Sequence, residues 1–128
     1  MEELVISFFE RVYNRKDFDY VMEIHAEDYY ENTATGARSN QDCRDIIKKT
    51  CLIFPDLHVE VNEILAKNEI AAVRPTFTGT HKDTFFGLAA TNKIITFEAM
   101  EFFRIVDGLI IESWGNWPIF YILERLKT

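Results

Sequence analysis

TFEAMEFFRIVDGLIIESWGNW, residues 96–117, decides the fold, because two apolar, β-branched and aromatic runs meet there at Val-Asp-Gly, residues 106–108. Such a junction predicts a three-residue hairpin loop with Gly108 in the left-handed region. In this register Ile105 faces Leu109 across the two strands. We therefore expect an antiparallel hairpin at the centre of a sheet.

Strand alternation assigns the side chains of this hairpin to two faces. The same register would pair Phe103 with Ile111 and Glu101 with Ser113. One predicted face is apolar apart from two of its residues and carries Phe97, Ala99, Glu101, Phe103, Ile111, Ser113 and Gly115. The opposite face carries Glu98, Met100, Phe102, Arg104, Ile110, Glu112 and Trp114. A carboxylate in an apolar row is unusual, so Glu101 is the most informative residue of the chain.

The composition indicates a single folded domain over residues 1–128. The chain is 48% hydrophobic and has 11 Phe and 5 Tyr, which is enough for a large aromatic core. A net charge of −7 without a basic stripe argues against binding to nucleic acid or to an anionic membrane. Since neither a signal peptide nor a run near the roughly 20 apolar residues of a membrane span is visible, we expect a cytoplasmic protein.

The cysteines and histidines predict neither a disulfide nor a metal site. Cys43 and Cys51 lie two turns apart on one predicted helix, roughly 12 Å along its axis, which is too far for a disulfide. We interpret both as small core residues of a reduced protein. The three histidines, His25, His58 and His81, lack the spacing that metal ligands show on a helix or ribbon.

Apolar residues at three- and four-residue steps predict four helices. The first covers residues 2–14, and a short second helix should follow an N-cap at Asp17. A third begins after Ser39, which has Asp42 three residues on as in a capping box, and stops at Pro55. Pro118 suits the first turn of a last, short helix.

Alternation predicts further strands at residues 58–65 and 70–80, with Asn68 in the left-handed turn between them. Residues 25–28 are expected to form a turn into a short extended piece at residues 29–32. The order of helices, then strands, then a short helix predicts an α+β domain. Its helices should pack on one face of a curved antiparallel sheet.

Several separated motifs resemble the SnoaL-like polyketide cyclase, or ester cyclase, family of the nuclear-transport-factor-2-like superfamily. They are FPDLHVEV at residues 54–61, FTGTH at 77–81, the FFG–TNK loop at 85–93, and the central hairpin with the GNW that follows it. The likeness spans residues 2–126 and implies a cone in which a curved sheet wraps on helices. It also implies an internal pocket for a flat polyketide ester, acid–base aldol closure without metal or cofactor, and pairing through the outer sheet face.

The resemblance also shows where this chain departs from the family pattern. The family acid follows the Trp of the last strand in an E-x-W-D pattern, and this chain has Gly115 there. The histidine of those cyclases, on the neighbouring strand, corresponds to Glu101. Many relatives have Asp-His where this chain has Glu31 and Asn32.

Glu101 leads the candidate site residues. Among apolar neighbours its pKa should rise, which would make it a usable general acid or base near neutral pH. A structural hydrogen bond or a partly wet pocket mouth is an equally open interpretation. His81 is the second catalytic candidate, because it lies where a strand meets the long connection of residues 81–93. The predicted ligand contacts are Tyr13, Tyr30, Asn32, Phe97, Phe103 and Trp117.

Two function hypotheses follow. The first is a cofactor-independent cyclase, isomerase or lyase that uses Glu101 as proton carrier on a small apolar, polyketide- or ester-like molecule. The second is a non-catalytic binding module of the same fold, in which Gly115 marks a lost acid. The opposite face of the central hairpin mixes large apolar groups with charges, which predicts a homodimer through the outer sheet face.

Overall fold

The computed structural model describes residues 1–128 and has four α-helices and six strands. The helices are α1 (Glu2–Ser7), which continues as a π-helical segment (Phe8–Asn14), α2 (Tyr20–Ile24), α3 (Asn40–Ile53) and α4 (Ile119–Lys127). The strands are β1 (His25–Glu31), β2 (His58–Lys67), β3 (Ile70–Thr80), β4 (Ile94–Glu98), β5 (Met100–Val106) and β6 (Leu109–Asn116).

All six strands belong to one sheet, with the order β1-β6-β5-β3-β2, and β4 pairs with β3 beside β5. This arrangement confirms the predicted α+β class. The sheet is antiparallel as predicted except at one edge, where β1 pairs with β6 in parallel. Most of the chain separates β1 from β6, and a parallel pair needs such a long connection.

The first helix covers the predicted residues 2–14, but its second half is π-helical. Phe8, Phe9, Val12 and Tyr13 of this segment are all buried. π-Helical turns are rare and are frequent at functional sites. This one directs two of its aromatic rings, Phe8 and Tyr13, at the interior cavity described below.

Two expectations for the next elements are wrong. Asp17 does not cap α2, because its carboxylate accepts a 2.8 Å hydrogen bond from Arg11 and the helix begins only at Tyr20. Residues 25–28 form the start of β1 instead of a turn, and His25 is buried with 2% of its surface exposed. The His25 ring bonds to the Val21 carbonyl at 3.0 Å, so an apparent turn residue is part of the core.

α3 begins as predicted at Ser39, whose hydroxyl accepts the backbone N–H of Asp42 at 3.0 Å. The reciprocal half of the capping box is absent, because Asp42 accepts the backbone N–H of Arg38 instead. Phe54, directly before Pro55, ends the helix. Cys43 and Cys51 on α3 are both free and buried.

The central hairpin turns one residue more tightly than predicted. Its loop has two residues, Asp107 and Gly108, with φ angles of 51° and 77°, as in a type I′ turn. Val106 therefore pairs with Leu109. The I′ turn matches the twist of the strands better than the predicted three-residue loop.

A β-bulge in the same hairpin changes the predicted faces. Ile105 pairs with Ile110, and the register then shifts so that Arg104 pairs with Glu112. Ile110 is consequently fully buried in the core. The prediction that it lies on the outer face is wrong. Beyond the bulge, Phe103 faces Ser113 and Glu101 faces Gly115. The predicted pairs Phe103–Ile111 and Glu101–Ser113 are therefore wrong by two residues.

The β2–β3 hairpin has the predicted turn, and a bulge in it accommodates Pro75. Asn68 has the predicted left-handed conformation, with φ of 57°. Pro75 lies beside a bulge between Val61 and Glu63 of β2, which is one of the two settings expected for a strand proline. Its carbonyl accepts the N–H of Ala99, the residue between β4 and β5.

One continuous apolar core lies between the helices and the inner face of the sheet. Aromatic rings dominate it: Phe9 of the π-helical segment contacts Phe77 of β3 and Phe103 of β5 edge-on, with ring centroids 6.3 and 6.1 Å apart. α4 closes one end with its buried residues Ile122 and Leu126. No helix combines the length and the hydrophobicity that a membrane crossing requires.

Candidate active site

An internal cavity of about 290 Å³ lies between the sheet and the helices. Its wall is largely aromatic and aliphatic, and it includes Phe8, Tyr13, Phe103 and Trp117. None of the 22 lining residues is Lys, Arg or His. The ionisable groups at the wall are therefore carboxyls, phenols and a thiol, with no cation to neutralise a negative charge.

Glu101 lies on this wall as expected from the sequence. Its Oε2 is buried and has no hydrogen-bond partner. Burial, together with a smaller effect of repulsion from Glu31, raises the pKa of Glu101 to about 8. The side chain is therefore mostly protonated at neutral pH and can donate a hydrogen bond into the cavity.

Glu31, a residue that the sequence reasoning did not select, is a second carboxyl of the cavity. It is the last residue of β1 and pairs with Ser113 of β6. Burial raises the pKa of Glu31, whereas the backbone amide of Ala37 and the charge of Arg38 act in the opposite direction. Glu31 therefore has help in holding a negative charge that Glu101 lacks.

Two tyrosines add hydroxyl groups to the same wall. The Tyr29 hydroxyl forms a short hydrogen bond with the Ser113 hydroxyl. Burial raises the pKa of both Tyr13 and Tyr29 above the ordinary value, so both phenols stay protonated. They can supply hydrogen bonds but no charge.

The predicted ligand contacts divide into two groups. Tyr13, Phe103 and Trp117 line the cavity together with Glu101. Tyr30 does not, since 44% of its surface is exposed and the Arg38 guanidinium lies 4.2 Å from its ring centre.

Asn32 and Phe97 do not line the cavity either, because each has a structural role next to it. The Asn32 amide donates to Glu112 at 3.1 Å and to the Ser113 carbonyl at 3.0 Å, which fastens the end of β1 to β6. Phe97 packs behind the cavity wall, with its ring centre 4.6 Å from that of Trp117.

The parity of β1 explains why Glu31 was missed. Tyr29 and Glu31 point inward, whereas Tyr30 and Asn32 point away from the cavity. A strand beginning at His25 would have given a longer alternating pattern, but residues 25–28 had been interpreted as a turn. The burial of His25, which places the start of β1 in the core, is a property of the fold and has no signal in the sequence.

His81 is fully buried at the base of the long loop and is not among the residues that line the cavity. Its Nδ1 accepts the backbone N–H of Thr91 at 3.2 Å and contacts the Thr91 hydroxyl at 3.0 Å. This places the ring proton on Nε2, which has no partner. His81 fastens the two ends of the loop together, at a distance from the carboxyls.

Gly115, where the family resemblance implies an acid, has no room for a side chain. Its φ is +147°, and an added Cβ would lie 2.8 Å from Cγ of Glu101 and 2.8 Å from the Met100 carbonyl. The Glu101 side chain therefore lies over the space that a residue at position 115 would need. Position 101 can hold its inward carboxyl because position 115 is glycine.

This architecture is a curved sheet packed on helices around an aromatic cavity, with two carboxyls at the cavity wall. The chain belongs to the SnoaL-like polyketide cyclase family, whose model matches residues 3–118. A comparison with curated protein sequences finds no match.

Solved structures with the same fold cover nearly the whole chain. AclR from Streptomyces galilaeus is 27% identical, with a TM-score of 0.86 over 98% of this chain and 94% of its own. TsrD from Streptomyces laurentii is 20% identical, with a TM-score of 0.89 over 98% and 92%. IdmH from Streptomyces antibioticus, a proposed polyketide cyclase, is 23% identical, with a TM-score of 0.85 over 99% and 98%.

Replacing Gly115 with Ala should lower the free energy of unfolding by about 3 kcal/mol, because strained backbone and a clash with Glu101 act together. Gly108→Ala is the matched control: its φ is +77° but an added Cβ meets nothing within 4 Å, so only about 1 kcal/mol should be lost. Urea unfolding measures both losses. Equal losses would show that position 115 has room for a side chain.

The raised pKa of Glu101 should make the fold less stable as pH rises. The folded chain keeps this proton up to about pH 8, whereas an unfolded glutamate releases it near the ordinary value of 4.5. The free energy of unfolding should therefore fall between these values, by up to about 1.4 kcal/mol per pH unit. In urea titrations at about pH 7 and pH 8, Glu101→Gln should flatten this slope, whereas Glu124→Gln, at an exposed position, should keep it.

Proposed function

We propose that this chain is a cofactor-independent acid–base enzyme that acts on a small, uncharged, polyketide- or ester-like carbonyl compound. The observation that carries the proposal is the Glu101 carboxyl, whose Oε2 is buried at the cavity wall without a partner. A buried polar atom without a partner is unfavourable unless a ligand or water completes it. A carbonyl oxygen is the complementary group for a protonated carboxyl.

The mechanism that fits this site begins at the ligand carbonyl. Protonated Glu101 donates to the carbonyl oxygen and stabilises the negative charge that develops when a neighbouring carbon loses its proton. The dry aromatic wall strengthens this interaction, because little water competes for either group. An enol formed in this way is the nucleophile of an intramolecular aldol closure.

The wall also supports the class of ligand. Aromatic rings such as Phe103 and Trp117 favour a flat apolar molecule, and the carboxyls disfavour an anionic one. AclR, the 27% identical structure, is described as a proposed hydroxylase, so a similar fold has been given another reaction. The chemistry of the cavity, more than the family name, therefore carries the proposal.

The second candidate function is a non-catalytic binding module. Gly115 favours it, because the position that holds the family acid has no side chain and no room for one. In such a module Glu101 would orient the ligand through one hydrogen bond. The two candidates differ in a single measurable property, which is proton transfer.

Glu101→Gln separates the two candidates, because glutamine keeps the shape and a hydrogen-bond donor but cannot exchange a proton. With 2-tetralone as an uncharged bicyclic probe, we expect the wild-type chain to speed deuterium uptake next to the carbonyl. Glu101→Gln should lower this rate by about 100-fold or more and change the calorimetric affinity by less than about threefold. Binding of 2-tetralone without any acceleration in the wild type would support the binding module.

We also propose a cytoplasmic homodimer formed through the outer sheet face. Met100 and Phe102 are 71% and 50% exposed there, and both line an open depression with Ile70 and Trp114. Charged groups border these apolar residues, among them Arg104, which pairs with Glu112 at 3.2 Å. Large apolar groups within a charged rim are typical of a self-association surface.

Light scattering at micromolar concentration should give twice the chain mass of 15.0 kDa. Phe102→Glu would place a charge at the apolar centre of this face. This variant should have the mass of one chain. Phe120→Glu is the matched control, since Phe120 is 79% exposed on α4, away from the sheet face. A wild-type chain that elutes with the mass of one chain would contradict the dimer.

A further inference from the structure

We propose that Glu31 is the second catalytic group of the cavity and works with Glu101 as a pair. Glu31 is the base that takes a proton from the carbon next to the ligand carbonyl, and Glu101 is the acid that donates its proton to the carbonyl oxygen. The inference rests on the proposed function and adds to it a base, a division of roles and a substrate class, which is an uncharged, enolisable ketone or keto ester.

The sheet places the two carboxyls on either side of one strand. Glu31 of β1 pairs with Ser113 of β6, and Glu101 of β5 pairs with Gly115 of the same strand. Two strand spacings and a two-residue offset would separate their Cα atoms by roughly 12 Å on a flat sheet. Both side chains reach the same cavity from opposite sides, so a flat molecule lying over β6 can contact both.

The strand between the carboxyls leaves this space open. Its two inward residues are Ser113, with a small side chain, and Gly115, with none. Ser113 is further held aside by the hydrogen bond to Tyr29. Larger residues at either position would fill the path between the two glutamates.

A loop that follows β1 packs against the Glu31 side chain. An added Cβ on Gly36 would lie 3.0 Å from both Cβ and Cγ of Glu31, so this backbone packs directly against the side chain. Arg38 donates to the Glu31 carbonyl at 2.7 Å and to the Thr33 carbonyl at 2.9 Å, which ties the loop to the end of β1. The arrangement holds Glu31 at the wall of the cavity.

The surroundings of the pair assign the roles. No cation lines the cavity, and the other ionisable groups that face it, Tyr13, Tyr29 and Cys43, have raised pKa values and stay neutral. Two carboxyls in such a place repel each other when both are ionised, so near neutral pH they hold one proton between them. Burial raises the pKa of Glu31 as well, but the Ala37 amide and the Arg38 charge oppose that rise, and Glu101 has no such groups. We therefore assign the negative charge of the pair to Glu31.

The proposed step balances within the pair and the ligand. The Glu31 carboxylate takes the proton from the carbon, and the electron pair of that C–H bond forms the C=C bond of an enol. The carbonyl oxygen receives the proton of Glu101, which leaves Glu31 neutral and Glu101 ionised. When the Glu31 proton returns to carbon, the enol O–H proton returns to Glu101 and the starting state is restored. When the enol carbon instead attacks a second carbonyl, the C=O π bond opens, the new alkoxide oxygen takes the Glu31 proton, and the enol O–H proton returns to Glu101, so no other reactant is needed.

Deuterium uptake into 2-tetralone, followed by proton NMR, tests the role of Glu31. Glu31→Gln should lower the rate by about 100-fold or more, as Glu101→Gln should. Since the two groups act as a unit, the double variant should be no slower than the slower single variant. Glu124→Gln, at an exposed position, is the matched control and should keep the wild-type rate.

The outcomes separate this inference from the proposed function. If Glu101→Gln removes the activity and Glu31→Gln keeps it within threefold of wild type, the inference is overturned and the proposed function stands. If the wild-type chain exchanges no faster than buffer, both are overturned. Glu31→Asp, which keeps the charge and shortens the reach, should retain the fold and still lose most of the rate.

A second measurement tests the pairing without any ligand. In ¹³C NMR titrations of chains with labelled glutamate carboxyls, Glu31 should titrate at a lower pH than Glu101. Removing the like charge by Glu31→Gln should lower the midpoint of Glu101 by at least half a pH unit, and Glu31→Asp should leave that midpoint in place. An unchanged midpoint in Glu31→Gln would show that the two carboxyls do not share a proton and would overturn the inference.

Discussion

The site depends on the absence of a side chain at position 115. Glu101 faces Gly115 across two antiparallel strands, and an added Cβ on this glycine would collide with the Glu101 side chain and with the Met100 carbonyl. The inward orientation of the Glu101 carboxyl therefore requires glycine at position 115. Compared with the pattern that the family resemblance implies, the acid of this chain stands on the neighbouring strand. A residue-by-residue comparison at position 115 would record a lost acid, although a carboxyl still reaches the cavity.

Desolvation links this feature to chemistry. The helices pack an aromatic layer onto the sheet, and Oε2 of Glu101 is buried there without a hydrogen-bond partner to stabilise its charge. Its pKa consequently rises to about 8, so that it holds a proton at neutral pH. Glu31 lies closer to stabilising groups, namely the Ala37 amide and the Arg38 charge. This difference between the two environments is what the proposed division into a proton donor and a proton acceptor rests on.

Local signals in the sequence predicted the fold well. The hairpin, the left-handed Asn68, the cap at Ser39 and the α+β class all follow from short-range chemistry, and the structure has each of them. The register of the strands, and with it the face on which each side chain lies, was harder to predict. The tighter turn and one bulge each shifted the register by one residue, and together they moved the partner of Glu101 from Ser113 to Gly115. No residue type marks that bulge.

The same lack of a signal for the face of each side chain affected β1. Adjacent tyrosines at positions 29 and 30 fit either face of a strand, so alternation alone could not tell which neighbour points inward. His81 shows a different limit, because its partner Thr91 lies ten residues away across a loop. Contacts of that kind are set by the folded backbone and have no local pattern.

The parallel pairing of β1 with β6 has a consequence for synthesis on the ribosome. Glu31 is synthesised well before β6 (Leu109–Asn116), the strand with which β1 pairs. The cavity therefore stays open at one side until β6 has left the exit tunnel, and β1 has no strand partner at that edge until then. Pairings this distant along the chain close slowly, so the nascent domain exposes its aromatic interior for longer than a sheet built only of hairpins would.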